Sequence, residues 1–211
     1  TVTFLTEEAR NSAEGNLCGD TIKTINDSRG HMIFIISDGM GKGSRAALDG
    51  AMGAGLLSKL LSAGFGFDSS LKVVNSALLV KSHEESLATL DCIRVDLFSG
   101  KCEFYKAGAP KSYVVKENSL TKCELTSMPA GILRGVEFAK RTTLLNTDDE
   151  IIMMSDGITD VGDDWLEEFL KLETSFDPNE KAKAILRLAL ENSDEKHRDD
   201  MSVIVAKMIE K

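Results

Sequence analysis

The chain has 211 residues, 42% of them hydrophobic, which suffices for one large domain with a buried core. Its 28% charged residues and three prolines do not describe a disordered chain. The 34 acidic residues outnumber the 25 basic ones, for a net charge of −9. That balance excludes nucleic acid or an anionic membrane surface as the main partner, because both select a basic face. The longest apolar runs, such as Met32 to Ile36, reach five residues, against about 20 for a membrane span. No secretory signal opens the chain, and the first residue is Thr1, as in a processed chain or an excised domain. Cys18, Cys92, Cys102 and Cys123 have no metal-ligand spacing and read as small buried hydrophobes in a reducing, cytoplasmic setting.

In chain order, Val2 to Arg10 and Thr21 to Ile25 read as strands, and Asn26 to Gly30 as a turn. His31 to Ser37 is a strand whose run Met32 to Ile36 is apolar on both faces, so it is expected to be covered on both sides. Two helices follow. The first, Ser44 to Leu61, carries its apolar residues at Ala47, Leu48, Ala51, Met52, Leu56, Leu57, Leu60 and Leu61. The second runs to about Lys81 with Asp68 as its cap. A block of strands comes next, over Ala88 to Phe98, Cys102 to Ala107, Ser112 to Lys116, Ser119 to Leu125, Phe138 to Leu145 and Ile151 to Ser155. Trp165 to Leu172 reads as a short helix. Asp177, Pro178 and Glu180 then mark the start of another, and Met201 to Met208 closes the chain as a strand. Consecutive strands with tight turns pair antiparallel. The expected class is therefore α+β, an antiparallel β-sandwich with helices outside, rather than a doubly wound sheet.

Certain aspartates stand out by position. Ile36-Ser37-Asp38-Gly39 and Met154-Ser155-Asp156-Gly157 share one design, an apolar strand that ends in Ser-Asp-Gly. The strand is anchored in the core and delivers its Asp to the rim, while the Gly permits a sharp turn or a close approach. Asp20 opens a strand after Gly19, and Asp199 and Asp200 precede the last strand. Carboxylates gathered without basic partners repel one another, and hard divalent cations resolve that repulsion. Two such ions form the usual clamp for displacement at phosphorus. For any one Asp, a turn or strand cap is the simpler reading; two identical strand ends favour function.

Taken in order, Gly19-Asp20, Asp38-Gly39-Met40-Gly41-Lys42-Gly43, Ser155-Asp156-Gly157 and Asp199-Asp200-Met201-Ser202 resemble the motifs of metal-dependent Ser/Thr protein phosphatases of the protein phosphatase 2C type. Gly108-Ala109-Pro110 and Pro129-Ala130-Gly131 are similar to two further family segments. The resemblance runs over about residues 15 to 208 and is strongest to the bacterial branch that includes the phosphatase domain of stage II sporulation protein E. It implies a four-layer α/β/β/α sandwich, read here as a single domain over residues 1–211 from the C-terminal part of a longer protein. It also implies two Mn²⁺ or Mg²⁺ ions: Asp38 bridging them, the Gly39 carbonyl and Asp20 serving one, Asp156 and Asp199 the other. Whether Asp199 or Asp200 is the ligand stays open. The implied reaction is hydrolysis of phosphoserine or phosphothreonine by water, without a phosphoenzyme. The implied substrate is a phosphorylated anti-anti-sigma factor of the STAS type that controls a sporulation sigma factor.

Two departures leave roles unfilled. Met40 stands where eukaryotic members carry a His proposed as general acid, and the place near Gly15 where they carry a phosphate-clamping Arg has none. Lys42 or Arg45 could attract phosphate, though a solvated loop end explains each as well. His197 reads as a polar loop residue, His31 and His83 as structural or solvent-facing. The alternative function is a binding module that kept the fold and lost turnover; a small-molecule phosphoesterase is a weaker third. Neither nucleic acid nor membrane contact is expected of this segment, while a homodimer and an upstream membrane tether stay open. Gly50, Gly53 and Gly55 within the first helix suit either an element that shifts or close packing.

Overall fold

The computed structural model describes all residues except Thr1, 14–16, Lys42, 82–85, Asn118, 173–176 and 195–198. Its strands are β1 (Val2–Asn11), β2 (Asp20–Asn26), β3 (His31–Asp38), β4 (Leu90–Asp96), β5 (Lys101–Ala107), β6 (Ser112–Lys116), β7 (Ser119–Cys123), β8 (Ala139–Leu144), β9 (Glu150–Met154) and β10 (Met201–Glu210). The helices are α1 (Gly43–Ser62), α2 (Phe67–Lys81), α3 (Asp156–Thr159), α4 (Asp164–Leu172) and α5 (Pro178–Asn192). One sheet has the order β1-β10-β9-β6-β7 and the other β2-β3-β4-β5-β8, and every pairing is antiparallel. The α+β class and the four layers expected from the sequence are those observed.

Strand alternation explains the layers. Met32, Phe34 and Ile36 of β3 enter the core between the sheets with Ile93, Phe104, Ile151, Met153 and Ile204. Ile33 and Ile35 point the other way, into a second core with Leu57, Leu61, Leu71 and Leu78 of α1 and α2. On the opposite face of the molecule, Ile152, Met154, Val203 and Val205 meet Leu166 and Leu170 of α4 and Ile185 of α5. β3 and β9 read as unbroken apolar runs because both of their faces are covered.

Two buried ion pairs brace this frame. The Lys106 ammonium on β5 donates to Asp91 on β4 (2.7 Å), to the Ser112 hydroxyl (2.8 Å) and to the Pro110 carbonyl (2.6 Å). Lys181 of α5 pairs with Glu150 at the start of β9, both buried. Removing one member of such a pair strands a buried charge, at about 3–5 kcal/mol.

Some expectations need correction. α2 begins at Phe67, so Asp68 lies inside its first turn instead of capping it, and its carboxylate takes the Lys140 ammonium (2.7 Å). Asp177 does cap α5, accepting from the Asn179 and Glu180 N–H groups. Cys92, Cys102 and Cys123 are buried, but Cys18 is only half-buried, in the segment before β2. Gly50 and Gly53 serve close packing: a methyl on Gly50 would overlap the Gly19 carbonyl, and one on Gly53 would lie 2.7 Å from the Ser37 hydroxyl. Gly55 faces open space. No helix among the described residues is long and apolar enough to cross a membrane.

Candidate active site

The β2–β3 hairpin sets the first half of the site. Its register places Asp20 directly opposite Asp38, so two carboxylates share one rung of a ladder, an arrangement that like charges disfavour. Asp20 is buried, and no hydrogen bond of ordinary geometry reaches either of its oxygens. Thr89 fixes the backbone of Asp38 from the neighbouring strand side: its hydroxyl accepts the Asp38 N–H (3.2 Å), and its own N–H donates to the Asp38 carbonyl (2.8 Å). The Gly39 N–H then donates to the Gly19 carbonyl (3.2 Å), and the Met40 N–H to the Leu87 carbonyl (3.0 Å). Gly39 passes directly beneath α1. A methyl there would overlap the Ala46 carbonyl and come within 2.7 Å of the Gly50 N–H nitrogen, so no larger residue fits.

β9 and β10 set the second half. The Ser155 N–H donates to the Ser202 carbonyl and the Ser202 N–H to the Ser155 hydroxyl, both at 2.9 Å. The Ser155 hydroxyl donates in turn to the Asp200 carbonyl (3.3 Å). Asp156 opens the single turn α3, and Gly157 lies against the Asp200 carbonyl too closely for any side chain. The two adjacent aspartates before β10 divide their tasks. The Asp200 carboxylate accepts the Ala13 and Gly19 N–H groups and so fastens the segment before β2. Asp199 is exposed, accepts the Asp200 N–H (2.8 Å), and exerts the largest charge effect on Asp156.

The electrostatics follow from burial and like charge. Burial, then the charges of Asp20, Asp156, Asp199 and Asp200, push Asp38 up to about 9, against about 3.9 for a free aspartate. Burial pushes Asp20 up to about 7; the nearby Ser155 and Ser202 hydroxyls oppose this, and Asp156 and Asp200 add to it. Asp156 is raised by burial and by Asp199 and Asp160, against the Gly157 N–H and a hydrogen bond with Asp38. Asp163 shows the contrast: burial pushes it up too, but the Lys111 and Lys122 ammonium groups outweigh that and leave it below the usual range. Among the described residues, the charges that act most on Asp20, Asp38 and Asp156 are all carboxylates.

The structure brings Asp20, Asp38, Gly39, Asp156 and Asp199 to one end of the sandwich. Among the described residues, no three acidic, His or Cys side chains meet at one point at coordinating distance; Asp20 stands opposite Asp38 across the hairpin, and Asp38 is hydrogen-bonded to Asp156, on which the Asp199 charge acts. Lys42, His83 and His197 lie outside the described residues. Thr89 had no sequence signal, because a strand residue that grips a neighbouring backbone looks like any other β-branched residue. The short α3 was also missed: four residues are too few for a helical period.

The stage II sporulation protein E family model matches residues 28–209. The chain belongs to that family. It is 28% identical over 200 residues to stage II sporulation protein E of Bacillus subtilis, matching 92% of this chain and 24% of that protein. The chain thus spans about a quarter of that relative's length. The structure of the PP2C phosphatase domain of the Bacillus subtilis family member, solved with a fragment of its regulatory domain, superposes with a TM-score of 0.88. That match has 27% identity and covers 99% of this chain and 62% of that one. The 211 residues therefore correspond to the family's PP2C-type phosphatase domain. The catalytic domain of the serine/threonine phosphatase PstP, solved with two manganese ions, shares the fold at a TM-score of 0.81 and 17% identity over the full length of both chains.

Proposed function

We propose that this domain is a metal-dependent protein serine/threonine phosphatase whose chemistry takes place at the Asp20–Asp38 and Asp156–Asp199 end of the sandwich. The observation that carries the reading is the buried carboxylate of Asp20, which among the described residues accepts no hydrogen bond of ordinary geometry, opposite an Asp38 raised to about 9. A protein gains nothing in stability from such a rung, since buried polar groups are otherwise hydrogen-bonded. The donor set fits hard divalent cations, being all oxygen: four carboxylates and the Gly39 carbonyl. Asp38 would reach both ions, Asp20 and Gly39 would serve one, and Asp156 and Asp199 the other. Bound there, Mn²⁺ or Mg²⁺ supplies Lewis-acid activation of water and of the phosphoryl group.

The chain's own residues hold this arrangement rigid. Thr89 fixes the backbone of Asp38, α1 clamps Gly39, and the Ser155–Ser202 exchange sets the angle at which Asp156 leaves β9. Asp200 is occupied with the Ala13 and Gly19 amides, which supports Asp199 as the ligand. The substrate class we assign, on the family resemblance, is a phosphorylated anti-anti-sigma factor of the STAS type, and the setting is cytoplasmic.

The test is hydrolysis of p-nitrophenyl phosphate and of a serine-phosphorylated STAS protein, with Mn²⁺ and with chelator. Both activities should vanish in chelator and return with added Mn²⁺ or Mg²⁺. Turnover that persists undiminished in chelator would refute the reading.

A further inference from the structure

An apolar groove lies outside the carboxylate cluster. It lies between α2 and the segment after Ala130, encloses about 630 Å³, and is lined by Leu79, Val80 and Val136 together with Asn75. Its two charged lining residues, Lys72 and Arg134, are both cations, in a chain of net charge −9. The wall opposite α2 is built, because buried Asn75 holds it at two points. The Asn75 amide donates to the Leu133 carbonyl (2.9 Å), and its carbonyl accepts the Gly131 N–H (2.7 Å).

This wall is joined to the site by backbone. Ala130 forms a β-bridge with Ala88, and Ala88 forms another with Gly39. Two strand spacings, about 10 Å, therefore separate the start of the wall from the carbonyl assigned to metal. Met40 next to Gly39, Val80 in the groove, and Met128, Ile132 and Leu133 within three residues of Ala130 are all exposed. Large apolar side chains gathered around a catalytic end mark an interaction surface.

We propose that this groove and its rim dock the phosphoprotein substrate, through apolar surface flanking the phosphorylated residue and through carboxylates that meet Lys72 and Arg134. The proposal rests on the phosphatase reading of the acidic end. The occupant follows from position. A carboxylate-lined site gives a phosphoprotein few attractive contacts of its own, so binding energy has to come from parts of the substrate remote from the reacting phosphorus. A second copy of this acidic chain seated here would cover the approach to Gly39.

The experiment uses two variants, Val80→Asp and the charge reversal Lys72→Glu with Arg134→Glu. Val80 is 86% exposed, so its replacement leaves the core intact. Each variant is assayed with Mn²⁺ on a serine-phosphorylated STAS protein and on p-nitrophenyl phosphate, beside a thermal melt. The expected result is a fall of about tenfold or more in kcat/KM for the phosphoprotein, carried by KM, as for loss of an interface anchor. The small ester should turn over as in the parent, with an unchanged melt. Parental phosphoprotein turnover in both variants overturns the docking site, as does an equal fall on both substrates. A parent dimer that the variants dissolve would give the face to a second copy and likewise overturn it. A parent active on the ester alone removes this class of phosphoprotein as the occupant. A parent active on neither substrate fails the phosphatase reading itself, and the docking proposal falls with it.

Discussion

At the end of β3, Gly39 runs beneath a helix; at the end of β9, Gly157 runs beneath the backbone that leads into β10. Both strands finish in Ser-Asp-Gly, and both glycines are pressed against a carbonyl, of Ala46 in one case and Asp200 in the other. The neighbours differ in kind. Asp38 faces Asp20 across a hairpin and is seated by α1, which also rests on Gly19 through Gly50. Asp156 opens α3 beside the Ser155–Ser202 exchange and is raised by the charge of Asp199. One motif thus delivers two carboxylates, and a displacement of α1 is expected to act first on the Gly39 and Gly19 side.

The comparison breaks if the halves are unequal in catalysis. Asp38→Ala and Asp156→Ala should each lower turnover by at least about a hundredfold, since both act through the same metal-dependent step. Near-normal turnover of either folded variant, measured on a phosphoprotein, removes that half from the mechanism. Packing separates the halves next. Gly50→Ala pushes a methyl into the Gly19 carbonyl and Gly157→Ala one into the Asp200 carbonyl. Each should cost about 1–3 kcal/mol or more by overpacking, read by denaturant melts. Gly50→Ala should also weaken metal affinity, by disturbing Gly19 and Gly39.

Acidity gives a third, smaller distinction. Asp20 at about 7 and Asp38 at about 9 both lie above their unfolded value near 3.8. The folded, metal-free domain therefore holds more protons than the unfolded chain between about pH 4 and pH 9, and its stability falls as pH rises through that window. Melting temperatures in chelator should decline from pH 5 to pH 9, and Asp38→Asn should flatten the decline; a flat parental profile contradicts the charge assignment. The smallest effect is expected at Gly55, which meets nothing within 4 Å. Gly55→Ala should stabilise α1 by up to about 1 kcal/mol, with activity unchanged.

The strand ends were legible because burial on both faces writes an unbroken apolar run, and Ser-Asp-Gly after such a run has few other uses. Asp177-Pro178 marked the start of α5 for a similar reason, a local hydrogen bond with a fixed spacing. What stayed hidden depends on tertiary context. Asp68 looks like a cap, but Phe67 is drawn into the first turn of α2 by stacking on Tyr105 (ring centroids 4.0 Å apart). Nothing in Asp199-Asp200 says which side chain turns toward Ala13 and Gly19, since those amides come from the far end of the chain. Gly50 and Gly53 could be recognised as unusual in a helix, but not as contacts, until the Gly19 carbonyl and the Ser37 hydroxyl were seen beneath them.

The pairing of β1 with β10 runs through ten residues on each strand, from Val2 opposite Glu210 to Asn11 opposite Met201. Within this domain the first strand waits for the last, at a synthesis rate of about 5–20 residues per second. Asp199 arrives with that last strand, and so does Asp200, which fastens the Ala13 and Gly19 amides. A nascent or prematurely terminated chain can assemble the β2–β3 hairpin, with Asp20 and Asp38 in register, and still lack the closing carboxylate. A chain cut before β10 is therefore expected to lack the proposed phosphatase activity.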